Sequence, residues 1–407
     1  MNRKALIGGV CLLAALGLVV AFARFAPPPA QTQTAGPAPA RPGSQSPFPA
    51  CPMDIAAPLF DTLPVDAGDF IAFRPLGFLS PPIHMFPAKH SAFSMTLPGQ
   101  KAAPKPIRAP GKVFVAEIWE ATFSTGGANY QVFVYPCREV RVYFGHLATL
   151  APRLAEAIKG SIPKCNSFID GTANVTTCRH ENLSLALESG EALGTGPDTV
   201  GIDFGVIDFR RAPAAFVALE HYDSFYPYYV SPIEYFAPGP RKALEAKTGH
   251  VFGARWRTSE PIGGTYAQDV PGAAQGNWFV PGLSFRTSTD PSPFLGLAHD
   301  YVDPTQPMIA IGSSVKGLPM GLYSFSVQRA GSINRDLRDI TSDGKIYCYD
   351  QFAQGQSHLG LPLRPAAGAL LMTLPSPTTL RVEFVAGAAC ANTAGPAFTA
   401  SATLYER

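Results

Sequence analysis

"EVRVYF", residues 139–144, places Val140, Val142 and Phe144 on one side of an extended chain and Glu139, Arg141 and Tyr143 on the other. A period of two marks a strand with one apolar face, because successive side chains leave a pleated backbone in opposite directions. "YSFSVQ" (323–328) and "LRVEF" (380–384) repeat the alternation, and "SDGKIYCY" (342–349) sets an Asp-Gly turn ahead of a strand. From Ala50 onward Pro and Gly recur every few residues and cut the chain into short runs. One helix is expected, in "PRLAEAIKG" (152–160), where Leu154 and Ile158 stand at i and i+4 and Gly160 is a stop signal. The reading predicts a mainly β protein.

The chain of 407 residues, 46% of them hydrophobic, has material for two cores. The charged, less β-like stretch "PGPRKALEAKTGH" (238–250) separates two strand-rich halves, which sets expected domains at 51–245 and 246–407. No useful internal repeat relates them. A net charge of +2, with basic residues scattered, offers no field for a phosphate backbone and argues against nucleic acid as a partner.

The first 25 residues, "MNRKALIGGVCLLAALGLVVAFARF", carry Arg3 and Lys4 ahead of an uninterrupted apolar run from Ala5 to Ala23. This is an export signal. As a helix the run reaches ~28 Å, enough to stay in a bilayer as an anchor with its positive end in the cytoplasm. Ala21-Phe22-Ala23 also fits a small-x-small cleavage site, so removal after Ala23 is the rival expectation. Residues 26–50 contain eight prolines and a single charged side chain, Arg41, and should form an extended, disordered spacer.

Apart from Cys11, the cysteines are Cys51, Cys137, Cys165, Cys178, Cys348 and Cys390, an even set in an exported chain. Disulfides are the expectation, and six cysteines allow 15 pairings. Proximity and domain membership favour Cys165 with Cys178 and Cys348 with Cys390, leaving Cys51 for Cys137. None has the CxxC spacing of a structural zinc site.

Three segments of the first half resemble, in order, the lysostaphin-like M23 metallopeptidases over roughly residues 75–210. "IRAPGKVFVAEIWEA" (107–121) is similar to the family's strand pair built on "APxxGxVxxI". "VRVYFGHLATL" (140–150) resembles its "YxHL" strand. "LESGEALGTGPDTVGIDFGVID" (187–208) resembles the run in which the chain turns at glycines and returns with the metal-binding strand. The resemblance implies an antiparallel M23-like β domain, followed here by a second, sandwich-like β domain. It also implies a zinc-dependent enzyme of the bacterial periplasm or cell envelope that acts on the peptide part of peptidoglycan.

Carried over residue by residue, the family's first metal histidine falls on His84 or His90, both in "PPIHMFPAKH" (81–90), and the "YxHL" histidine falls on His146. The family's ligand Asp has no counterpart, since no Asp occurs between His84 and Gly111. Its HxH pair maps onto Gly201-Ile202-Asp203. A hydrolytic zinc needs three protein ligands and one open position for water. His84, His90 and Asp203 could supply two nitrogens and an oxygen, with His146 orienting or deprotonating the water. Lys89 beside His90 would repel a divalent ion unless its side chain points away.

Two functional expectations follow: a zinc peptidoglycan endopeptidase with rearranged ligands, or a catalytically degenerate module that binds the cell wall or an envelope protein without cutting it. Asp208, five residues after Asp203, should face the other side of the strand and serve structure. The aromatic stretch "EHYDSFYPYY" (220–229) reads as core or interface before carbohydrate surface.

Overall fold

The structure is a computed structural model that describes residues 47–97, 100–101, 103–170, 173–197, 201–288, 290–355, 363–391 and 397–407. The expected N-terminal apolar helix and most of the Pro-rich spacer lie outside the described residues. Among the described residues no helix is long and apolar enough to cross a membrane.

The protein is mainly β, with several antiparallel sheets. In the first half the strands are β1 (Ala72–Arg74), β2 (Ser91–Ser94), β3 (Pro106–Arg108), β4 (Val113–Phe123), β5 (Ala128–Cys137), β6 (Val140–Leu147) and β7 (Thr149–Leu150). They continue with β8 (Lys164–Asp170), β9 (Ala173–His180), β10 (Leu185–Leu187), β11 (Ala192–Thr195), β12 (Gly201–Asp208) and β13 (Tyr229–Val230). The main sheet runs β1-β2-β12-β6-β5-β4-β9-β8, with β10 on β4 and β13 on β12.

"EVRVYF" forms the centre of this sheet. Val140, Val142 and Phe144 are fully buried beside Ile202, Phe204 and Val206 of β12, Val132 and Val134 of β5, and Phe93 of β2. That face is the core of the first half. The expected helix forms as α1 (Pro152–Lys159), with Leu154 packed into the same core. A second helix, α2 (Pro238–Glu245), occupies the stretch expected to be a boundary, and Leu244 anchors it there. Its charge reflects a surface helix with one buried residue.

The second half contains β14 (Gly276–Trp278), β15 (Leu295–His299), β16 (Pro307–Ile311), β17 (Gly321–Ser324), β18 (Tyr347–Tyr349), β19 (Ala353–Gln354), β20 (Arg364–Pro365), β21 (Gly368–Ser376), β22 (Thr379–Ala386) and β23 (Thr403–Glu406). "LRVEF" lies in β22 as expected, whereas the strand in "YSFSVQ" stops at Ser324. The sheet β14-β15-β16-β17-β19-β20 and the sheet β18-β21-β22-β23 share one core, with Leu297 and Ile309 from the first and Leu370 and Val382 from the second.

A third apolar cluster joins the halves. Leu76, Leu79, Met85 and Phe86 from the loop between β1 and β2 pack with Phe279, Phe294, Ala298, Met308 and Ala310. The loop that carries His84 and His90 is therefore clamped between the first sheet and the second half. All three expected disulfides form, Cys51–Cys137, Cys165–Cys178 and Cys348–Cys390, and they fit an oxidising, extracytoplasmic compartment.

Candidate functional site

On the main sheet, side chains directly opposite one another share a face. Arg74 pairs with Ala92, Ala92 with Asp203, and Asp203 with Gly145, so these four form one row across β1, β2, β12 and β6. The row lies on the face away from the first core. Its two small residues flank Asp203 and leave its carboxylate room: a Cβ on Gly145 would stand 3.3 Å from the Cβ of Asp203. In the next row Gly205 lies opposite Tyr143, whose ring takes the space of the missing side chain.

His90 stands two residues before Ala92 and so shares its face, and its Nδ1 lies 3.5 Å from Asp203 Oδ1. The same Nδ1 is 3.1 Å from the carbonyl of Ser91, which fixes the ring as an Nδ1–H donor. His146 follows Gly145, and in a regular strand it would turn into the core. Instead the β5–β6 register slips between the Tyr130–Leu147 and Val132–Phe144 pairs, and His146 takes φ 67°. This bulge with a left-handed residue swings the imidazole to the polar face. Its Nε2 then lies 3.3 Å from Asp203 Oδ2.

Asn129 holds the other side of that ring, with Nδ2 at 3.1 Å from His146 Nδ1. A neutral ring accepts from the amide; with the amide turned over, its otherwise unpartnered Oδ1 accepts from an imidazolium. His84 completes the group from a tight turn closed by reciprocal hydrogen bonds with Ser80. Its ring centroid is 5.1 Å from that of His90, and both rings meet Phe78 edge-on.

The electrostatics separate the three imidazoles. Burial pushes His84 well down, and His90 beside it adds to the shift. Burial also lowers His90, although Asp203 partly offsets it. Burial acts on His146 in the same direction, but the Asp203 carboxylate outweighs it and raises the pKa. Burial alone would raise Asp203; His90, His146 and His84 together overturn this and hold it far below the usual carboxylate range. At neutral pH the site presents an ionised Asp203 paired with His146, and two neutral imidazoles.

Lys89 points away, as neighbours on an extended chain do. Its ammonium lies 4.7 Å and 4.9 Å from the ring centroids of Tyr226 and Tyr229, and 3.6 Å from Asp223. The aromatic stretch 220–229 thus serves partly to hold this cation, and its Tyr222 and Tyr226 are core.

The structure therefore gathers His84, His90, His146 and Asp203, the four residues expected from the sequence. Their donor chemistry suits zinc, and the Asp203–His146 separation matches two ligands sharing one centre at bonds of ~2 Å, whereas His90 Nδ1 is occupied by the Ser91 carbonyl. As placed, however, the set does not close into a zinc tripod. Among the described residues the sole trio with one donor atom each within 4.8 Å of one another is Cys51, Cys137 and Glu139, and its cysteines form a disulfide. Arg74, which the sequence reading passed over, also belongs to the site. The signal was faint: an arginine closing the short apolar run "FIAFR" (70–74). Comparison of the chain with family models, with curated proteins and with solved structures finds no match in any of the three.

Proposed function

We propose that residues 51–245 are an M23-like module of an exported bacterial cell-envelope protein, and that its groove binds the peptide part of peptidoglycan without cutting it. The observation that carries this reading is the placement of Asp203 between two histidines, 3.3 Å from His146 Nε2 and 3.5 Å from His90 Nδ1, in a cluster that does not close into a tripod. A hydrolytic zinc needs three converging protein donors and an open position. This cluster supplies hydrogen-bond donors and acceptors around one ionised carboxylate, a surface suited to peptide amides and carboxylates. The second half supports a sandwich-like domain that braces the groove through the shared cluster. If the first segment stays in the membrane, the Pro-rich spacer lets the groove reach the wall.

A second reading, a zinc endopeptidase with His84, His90 and Asp203 as ligands and His146 acting on water, draws on the gathering of the three imidazoles around the Asp203 carboxylate. Purified residues 51–407 mixed with sacculi separate the two. Co-sedimentation without release of soluble peptide fragments, and without stoichiometric zinc, supports binding. Fragment release that disappears in His90→Ala and Asp203→Ala overturns it in favour of the hydrolase. Failure to hold sacculi points instead to an envelope protein as partner.

A further inference from the structure

Arg74 lies on the same row as Asp203 and at its β1 end. Its guanidinium carbon sits 3.8 Å from the centroid of Phe78, the ring that also meets His84 and His90. Stacking on an aromatic face fixes the plane of the guanidinium and leaves its edge for hydrogen bonds. Among the described residues that edge has no hydrogen-bond partner. Nε is buried without a partner, and no described side chain makes a hydrogen bond or ion pair with the group. The residue as a whole is only partly buried.

A half-buried cation without a counter-ion is costly unless something fills its donors. Asp203 acts on Arg74 through space but does not neutralise it by contact. The group that fits is planar, singly negative and able to accept two parallel N–H bonds. A dianion such as phosphate would be repelled by the ionised Asp203 more strongly than a single carboxylate.

We propose that Arg74 is the anchor for a carboxylate of the peptide held in this groove, with the rings of His84 and His90 beside it on the other edges of Phe78. The proposal rests on the peptide-binding reading above and names the chemistry that the groove selects. The carboxylate can be the free C-terminus of a wall peptide or one on its side chains.

Calorimetry of residues 51–407 with a soluble peptidoglycan stem peptide tests it, using the peptide with all carboxylates free, with the C-terminus amidated, or with the side-chain carboxylates amidated. One amidated form should bind at least about tenfold more weakly, the loss of a charge-assisted hydrogen bond. Which form loses affinity identifies the source. Arg74→Gln should bind the free and amidated peptides alike, while Arg74→Lys keeps part of the preference. Should Arg74→Gln fail to fold, the wild-type comparison of the three peptides still decides. Wild type that holds sacculi but treats all three alike overturns the Arg74 anchor alone. Wild type that holds neither sacculi nor peptide overturns the wall-binding reading with it.

Discussion

Two aspartates on β12 show how one strand divides its work between faces. Asp203 turns to the polar groove, and Asp208, five residues later, turns to the core, where it is fully buried. Asp208 is compensated there by Arg210, whose Nε and Nη2 donate at 2.9 and 2.8 Å, and by the hydroxyl of Tyr235, which donates at 2.6 Å. Burial would raise this carboxyl, but the Arg210 and Tyr235 hydrogen bonds outweigh it and lower the pKa. Removing one member of such a buried network strands the others, at a typical cost of about 3–5 kcal/mol. Asp208→Ala should therefore lose stability on that scale in urea unfolding. A loss below about 1 kcal/mol would show that the network relaxes to solvent, against the usual cost of a broken buried pair. The period of two made this division readable from sequence. The alternation could not show the turning of His146, which entered only through the "YxHL" resemblance, because the bulge that redirects it depends on the register between β5 and β6.

Short elements in the second half are tied to strands by side chains rather than by length. A single 3₁₀ turn at Leu337–Asp339 starts at Asp336, whose carboxylate accepts from the Arg338 amide at 3.2 Å and faces His299 Nε2 on β15 at 3.1 Å. Burial would raise Asp336, but its bond to His299 and the nearby Arg338 overcome this and bring the pKa down to about 2. A carboxyl depressed by folding stabilises the protein above its unfolded pKa, and the contribution fades as pH falls towards the folded value. A shift of this size corresponds to stability on the order of 2 kcal/mol. Asp336→Asn should be less stable than wild type by that amount in urea at pH 6, with the gap narrowing below about pH 4. A gap that stays constant from pH 6 to pH 3 would sink this account.

At the scale of the whole molecule, the sequence showed two strand-rich halves but not how they are joined. "PMIAI" (307–311) explains the difference. As β16 it is buried on both faces, with Ile309 and Ile311 in the core of the second half and Met308 and Ala310 against Met85 and Phe86 of the first. A continuous apolar run reports double burial without naming the second partner. The expected boundary near 245 is also crossed by backbone pairing, since Phe73 bridges Thr248 and Leu76 bridges Gly264. The loop carrying His84 and His90 is therefore packed against both halves. A shared cluster of this kind couples the unfolding of its parts. Residues 51–407 should unfold in urea in one transition, followed alike by tryptophan fluorescence and far-ultraviolet circular dichroism. Replacing Met85 and Phe86 with alanine, at about 2–5 kcal/mol each, should weaken the coupling and split that transition in two. Two resolved transitions in the unaltered protein would instead mean that the halves fold independently and that the groove is assembled by docking.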